Sequence, residues 1–178
     1  MIFDKFRKKT PEPQPKETIV RELYLIRHAD ALDEFSRGDI GRVLSDKGFQ
    51  QAEKTAQFLN KSGVLPDVII HSGAVRTMST AETIALVLGK EISLIEASAL
   101  YNVSADEWLA FIHSIDNDLR IVVAVGHNFG ISEFASQLNG STLDRLENAA
   151  VYGFQFHIDT WDELKKGRGK LIIQFTPV

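Results

Sequence analysis

From Ile19 onward the hydrophobic and polar positions switch between a two-residue and a helical period. Residues 20–27, VRELYLIR, are rich in β-formers and predict a strand. LSDKGFQQAEKTAQFLN follows, with Phe49, Ala52, Ala56 and Leu59 at helical spacing and Ser45 placed as its N-cap. PDVIIHS predicts a short buried strand, AVRTMSTAETIALVLG a helix stopped by Gly89, and EISLIE another strand. SADEWLAFIHSI predicts a helix opened by Ser104, with Glu107 as its capping-box partner. LRIVVAVGH is the most hydrophobic run, and its four β-branched residues predict a central strand buried on both faces. A helix near FGISEFASQL, a turn at Asn139 and Gly140, and two strands, AVYGFQFHI and KLIIQFT, complete the chain, the last two placed as an antiparallel pair.

Strands alternating with helices in this order predict an α/β domain with a mostly parallel sheet. Such sheets bind ligands at the carboxyl ends of their strands. The first eighteen residues, MIFDKFRKKTPEPQPKET, hold three prolines and a cluster of Lys and Arg, and are expected to form a flexible tail ahead of one domain over residues 19–178. A chain of 178 residues suffices to bury about 70% of its unfolded surface.

Composition narrows the function. With 44% hydrophobic and 25% charged residues and a net charge of -4, the chain has the make-up of a soluble globular protein with no global field that would draw it to nucleic acid. An anion site must then be local. The absence of cysteine excludes disulfides and thiolate metal sites, and agrees with the cytoplasm as expected location. No apolar run reaches the roughly 18 residues of a membrane span. Metal-ligand spacings such as HExxH, and glycine patterns for nucleotide cofactors, are missing too, so neither a metal nor a cofactor is expected.

Three predicted strands end on unusual residues. The first ends at Arg27 and His28, the second runs through Ser72 to Arg76 in the first turn of a helix, and the central one ends at Gly126 and His127. A parallel sheet would gather two guanidinium groups and two imidazoles on one rim. Guanidinium forks match phosphate and carboxylate oxygens, so a phosphoryl group is the natural guest. Cations about 4 Å away, each repelling an imidazolium by about 4 kcal/mol at an effective dielectric near 20, would keep a histidine neutral and nucleophilic. One histidine could attack phosphorus while the other donates to the phosphoryl oxygens.

These segments resemble a known family. LIRHADA is similar to the RHG motif of the histidine phosphatase superfamily, SGAVRTMSTAETI to its second-arginine segment, and VVAVGHNFGI to the segment holding its second histidine. With RVLSDKG before the first helix, the order resembles that of the small SixA-type phosphohistidine phosphatases over roughly residues 22–158. The resemblance implies a three-layer α/β/α sandwich of phosphoglycerate mutase type. It also implies a metal-independent phosphatase in which His28 is the phosphorylated nucleophile, and Arg27, Arg76 and His127 form the phosphate pocket. Arg42 matches an arginine that adds a further substrate contact. The expected partner is a protein bearing phosphohistidine; a small phosphate ester or pyrophosphate, or a non-catalytic phosphate-binding role, are the alternatives.

The chain departs from the pattern in two places. Ala29 replaces the glycine of RHG, and Ala99 stands where relatives often carry an acidic residue. No proton donor is assigned, and Asp30, Asp33 and Glu96 remain candidates. A phosphoramidate can leave as a neutral imidazole once its nitrogen is protonated, so a missing strong acid suits phosphohistidine better than an alkyl ester. His71, His113 and His157 are expected to be structural.

Overall fold

Every predicted strand and helix is present in the computed structural model, which describes residues 19–34, 36, 38–89 and 91–178. The tail expected over residues 1–18 lies outside the described residues. The strands are β1 (Val20–Arg27), β2 (Val68–His71), β3 (Ser93–Glu96), β4 (Ile121–Gly126), β5 (Val151–His157) and β6 (Lys170–Phe175). The helices are α1 (Asp46–Lys61), α2 (Val75–Leu88), α3 (Ala105–His113) and α4 (Gly130–Asn139). Three short 3-10 turns, at Asp39–Gly41, Ser98–Leu100 and Trp161–Glu163, have no counterpart in the sequence reading.

The strands form one sheet in the order β3-β2-β4-β1-β5-β6. The first four are parallel, and β5 and β6 add an antiparallel pair at the β1 side. Alternation along the strands sorts the core into two layers. Leu23, Leu25, Val122 and Ala124 face α3 and α4 through Trp108, Ile112, Phe134 and Leu138. Tyr24, Ile26, Val123 and Val125 face α1 and α2 through Ala56, Leu59, Ala81 and Ile84. This is the three-layer sandwich, and each of the larger apolar side chains buried in it contributes about 1.5–3 kcal/mol relative to exposure. Among the described residues, no helix is long and apolar enough to cross a membrane.

Helix ends follow the local chemistry of the sequence. Ser45 caps α1 by accepting the Gly48 N–H at 3.0 Å, and Ser104 with Glu107 forms a full capping box on α3. Gly89 closes α2 in the left-handed conformation, at φ 66°.

The first turn of α1 departs from expectation. Phe49 is 48% exposed and not part of the core; Gly48 faces inward instead, ahead of Ala52, Thr55, Ala56 and Leu59. A Cβ on Gly48 would sit 2.0 Å from the Asp30 carbonyl oxygen, so α1 approaches the chain leaving β1 more closely than any side chain allows. The missing side chain brings residue 48 to the buried face and turns Phe49 outward. Gly48→Ala is expected to lower stability by about 1–3 kcal/mol through overpacking, read as a lower urea midpoint at unchanged slope.

Candidate active site

The sheet order creates a crevice. β1 and β4 are adjacent, with Arg27 paired to Gly126, yet the helices that follow them pack on opposite faces, α1 beside α2 and α4 beside α3. The chain ends leaving β1 and β4 therefore diverge, which is where parallel α/β sheets open a binding site. Arg27 and His28 leave β1 there, and His127 leaves β4. Ser72 follows β2, and Arg76 sits in the first turn of α2. The four residues expected at the strand ends are thus brought together.

The backbone around His28 is fixed on all sides. Its N–H donates to the Gly126 carbonyl at 3.0 Å, and its own carbonyl accepts from Asn148 at 3.2 Å and from the Ala149 N–H at 3.3 Å. The Ala29 N–H donates to Thr80 of α2 at 3.0 Å. Ala29 is fully buried and is not among the residues at positive φ, so alanine takes the place of glycine without backbone strain.

The His28 ring has one nitrogen committed. Nδ1 lies 2.8 Å from the Ala29 carbonyl oxygen, which can only accept, so Nδ1 carries the hydrogen and the neutral ring holds its lone pair on Nε2. Burial is the main cause that lowers the His28 pKa to about 4; the Ala29 bond opposes it, and Arg76, Arg27 and Arg42 add to it. The sequence reading credited neighbouring cations with keeping the ring neutral, but desolvation is the larger cause.

His127 lies with its ring centroid 5.2 Å from that of His28 and is 3% exposed. Arg76 Nη2, always a donor, stands 3.3 Å from its Nδ1. The hydrogen must then be on Nε2, which donates to Ser72 Oγ at 2.6 Å. The relay continues from the Ser72 hydroxyl to Thr77 Oγ1 at 3.1 Å and from Thr77 to the Ala74 carbonyl at 2.8 Å. Burial, then Arg76 and His28, lower the His127 pKa to about 3.

The two arginines are held by their Nη atoms. Arg27 Nη1 donates to the Leu146 carbonyl at 3.2 Å, while Arg76 Nη1 donates to the Asp39 carbonyl at 2.6 Å and its Nη2 to the Asp39 carboxylate at 2.9 Å. The Nε–H groups of both are buried and, among the described residues, have no hydrogen-bond partner. Two such donors beside two neutral imidazoles suit an oxyanion. Arg42 is close enough to lower the pKa of His28; its guanidinium bonds Asp33 at 2.6 Å, the Leu32 carbonyl at 2.8 Å and, more loosely, Asp39.

The donor candidates separate. The Asp30 carboxylate accepts from Ser45 at 2.6 Å and so ties the strand exit to the α1 cap. Asp33 is 89% exposed and paired with Arg42. Glu96 accepts from Ser98 at 2.7 Å and lies against Gly73, next to Ser72. His71 accepts the Gly73 N–H, His113 donates to the Leu164 carbonyl, and His157 is exposed.

Three residues of the cluster escaped the sequence reading as participants: Asp39, Tyr101 and Ser72. The Tyr101 hydroxyl donates to the Asp39 carboxylate, its ring meets His127 edge-on at 5.1 Å, and the Arg76 guanidinium lies over it at 5.8 Å. Ser72 stands in the quoted HSGAVR segment, but nothing local marks it as the partner of a histidine 55 residues away.

Opposite tautomers are expected for the two histidines. Nitrogen-15 NMR between pH 5 and 8 should show both rings neutral, with the hydrogen on Nδ1 of His28 and on Nε2 of His127. A ring titrating near 6.5 would contradict this arrangement.

Comparison with known proteins agrees with the geometry. The profile of the histidine phosphatase superfamily (branch 1) matches residues 23–111. An uncharacterized chloroplastic protein of Arabidopsis thaliana is 32% identical over 160 residues, 84% of this chain and 72% of that protein. Among solved structures, the putative phosphohistidine phosphatase SixA from Nakamurella multipartitia superposes with a TM-score of 0.75 at 24% identity, over 89% of this chain and 97% of that one. A mycobacterial glucosyl-3-phosphoglycerate phosphatase does so with a TM-score of 0.61 at 18% identity, over 86% and 98%. The chain belongs to the histidine phosphatase superfamily.

Proposed function

We propose that this protein is a phosphatase that works through a phosphorylated His28, with phosphohistidine on a partner protein as its preferred substrate. The observation that carries the reading is the His28 ring, neutral and with Nε2 as its basic nitrogen, set among Arg27, Arg76 and His127.

In the first step the Nε2 lone pair attacks phosphorus, a P–N bond to His28 forms, and the bond from phosphorus to the leaving nitrogen breaks. The leaving imidazole departs neutral when the substrate reacts in its form protonated on the other nitrogen, whose proton it then keeps as N–H. Water then attacks the phosphorylated His28, giving orthophosphate and restoring the ring. Arg27 and Arg76 bind the equatorial oxygens through donors that include their unpartnered Nε–H groups.

His127 orients Arg76 in the free protein. A bound phosphoryl dianion favours a protonated imidazole beside it, so substrate itself would turn His127 into a donor. Ser72 keeps the ring in place throughout.

The absence of an acidic residue at Ala99 supports a phosphoramidate over an alkyl ester, because an alkoxide leaving group needs a general acid. Glu96, lying against Gly73, is the feature that favours the second reading, hydrolysis of a small phosphate ester.

Phosphate release in EDTA from a phosphohistidine-bearing protein and from an aryl phosphate tests the reading. Wild type is expected to release phosphate faster from phosphohistidine, and His28→Ala to lose at least about 10³-fold in turnover. Full activity of His28→Ala would rule out the covalent mechanism. Arg76→Ala is expected to weaken orthophosphate binding about 10- to 100-fold by calorimetry. Because His28 must be neutral to attack, kcat/KM, corrected for substrate ionisation, should hold as pH falls through 6.5 and drop only near pH 4.

A further inference from the structure

Asp39 has no role in the reaction just described, yet it is the most heavily engaged carboxylate of the cluster. Arg76 donates to both its main-chain carbonyl and its carboxylate, at 2.6 and 2.9 Å. Tyr101 donates to the same carboxylate oxygen that Arg76 uses, and Arg42 approaches the other at 3.4 Å. The turn that carries Asp39 buries no side chain, and the Asp39 side chain itself is 40% exposed, whereas that of Arg76 is 4% exposed. Asp39 thus stands at the boundary between the buried pocket and solvent.

Its position relative to the nucleophile follows from the contacts. His28 lies against His127, His127 accepts from Arg76, and Arg76 donates to Asp39. Two side chains separate His28 from Asp39, and Asp39 is the solvent-exposed member of that series, so its carboxylate stands at the mouth of the pocket. In-line displacement sends the leaving group away from the nucleophile, and a leaving group carried on a partner protein lies on the solvent side, where Asp39 stands. Tyr101 and the two arginines hold the Asp39 pKa down to about 2, with the Tyr101 bond as the largest cause, so it is a fixed negative charge and not a proton donor at neutral pH.

We propose that Asp39 is a specificity-determining residue: its charge favours a phosphoryl group whose leaving group is cationic or bears an N–H, and disfavours one followed by a second anion. An imidazole protonated on its distal nitrogen presents that N–H and that charge. A pyrophosphate or bisphosphate presents its next phosphate to the same carboxylate and is repelled. This inference rests on the phosphohistidine reading for its preferred substrate, but the discrimination against a second anion rests only on the charge of Asp39 at the rim of the pocket beside Arg76.

Calorimetric titration with orthophosphate and with pyrophosphate, using wild type, Asp39→Asn and Asp39→Glu, separates charge from architecture. One unit charge acting from a partly exposed, solvent-screened side chain corresponds to roughly tenfold in affinity. Asp39→Asn is therefore expected to raise the affinity for pyrophosphate relative to orthophosphate about tenfold, while Asp39→Glu keeps the wild-type ratio. If Asp39 only positions Arg76, both anions weaken together and the ratio stays within about twofold of wild type, which overturns the proposal. In parallel, the ratio of kcat/KM for phosphohistidine over aryl phosphate should fall about tenfold in Asp39→Asn; an unchanged ratio overturns the preference for a cationic leaving group. A wild-type protein that leaves phosphohistidine intact but shows the expected shift in anion ratio would refute the phosphohistidine reading and support the charge discrimination by Asp39.

Discussion

The His28 ring gives its Nδ1–H to the carbonyl of the very next residue, and that contact decides which nitrogen keeps the lone pair. It holds only while Ala29 is held. Thr80 of α2 binds the Ala29 N–H, and the Ala149 N–H and Asn148 side chain bind the His28 carbonyl from the far side. One residue further on, Asp30 is fastened to the α1 cap through Ser45 and packed against Gly48. Both helices on that face of the sheet therefore serve, at their first or second turns, to keep three residues beyond β1 in one conformation.

The electrostatics follow from the same burial. A histidine among three arginines would lose its proton in water less completely than it does here, where desolvation contributes most to the lowering. The arginines keep their charge and direct it at a small volume, and His127 ends a relay of hydroxyls that has a defined donor direction at every step. The cluster is cationic overall while both imidazoles remain neutral, a combination that suits binding an anion and attacking it with the same group of residues.

Much of this was legible from the chain alone because it follows strand ends. Arg27, His28, Arg76 and His127 each stand where a predicted strand gives way to a helix or loop, and parallel strands carry such positions to one edge whatever lies between them. Asp39 and Tyr101 gave no such signal. Each belongs to or adjoins a 3-10 turn too short to show a period, and their bonds span 37 and 62 residues of sequence. Phe49 misled for a different reason. Helical spacing places it in line with Ala52 and Ala56, but a backbone-to-backbone contact at Gly48, which side-chain periodicity does not register, sets the rotation of the helix.

The division of the site between strand ends and short turns has a dynamic consequence. His28 and His127 are anchored directly on β1 and β4, whose backbone bonds lie in the middle of the sheet, so exposing them requires breaking its most protected part. Asp39 sits on a single turn that buries nothing. Local opening would therefore break the side-chain bonds of Asp39 at the rim but nearly the whole sheet at the floor. Amide hydrogens would exchange with solvent more quickly around Asp39 and only on global unfolding around His28, which sets a more readily opened rim over a floor that does not shift.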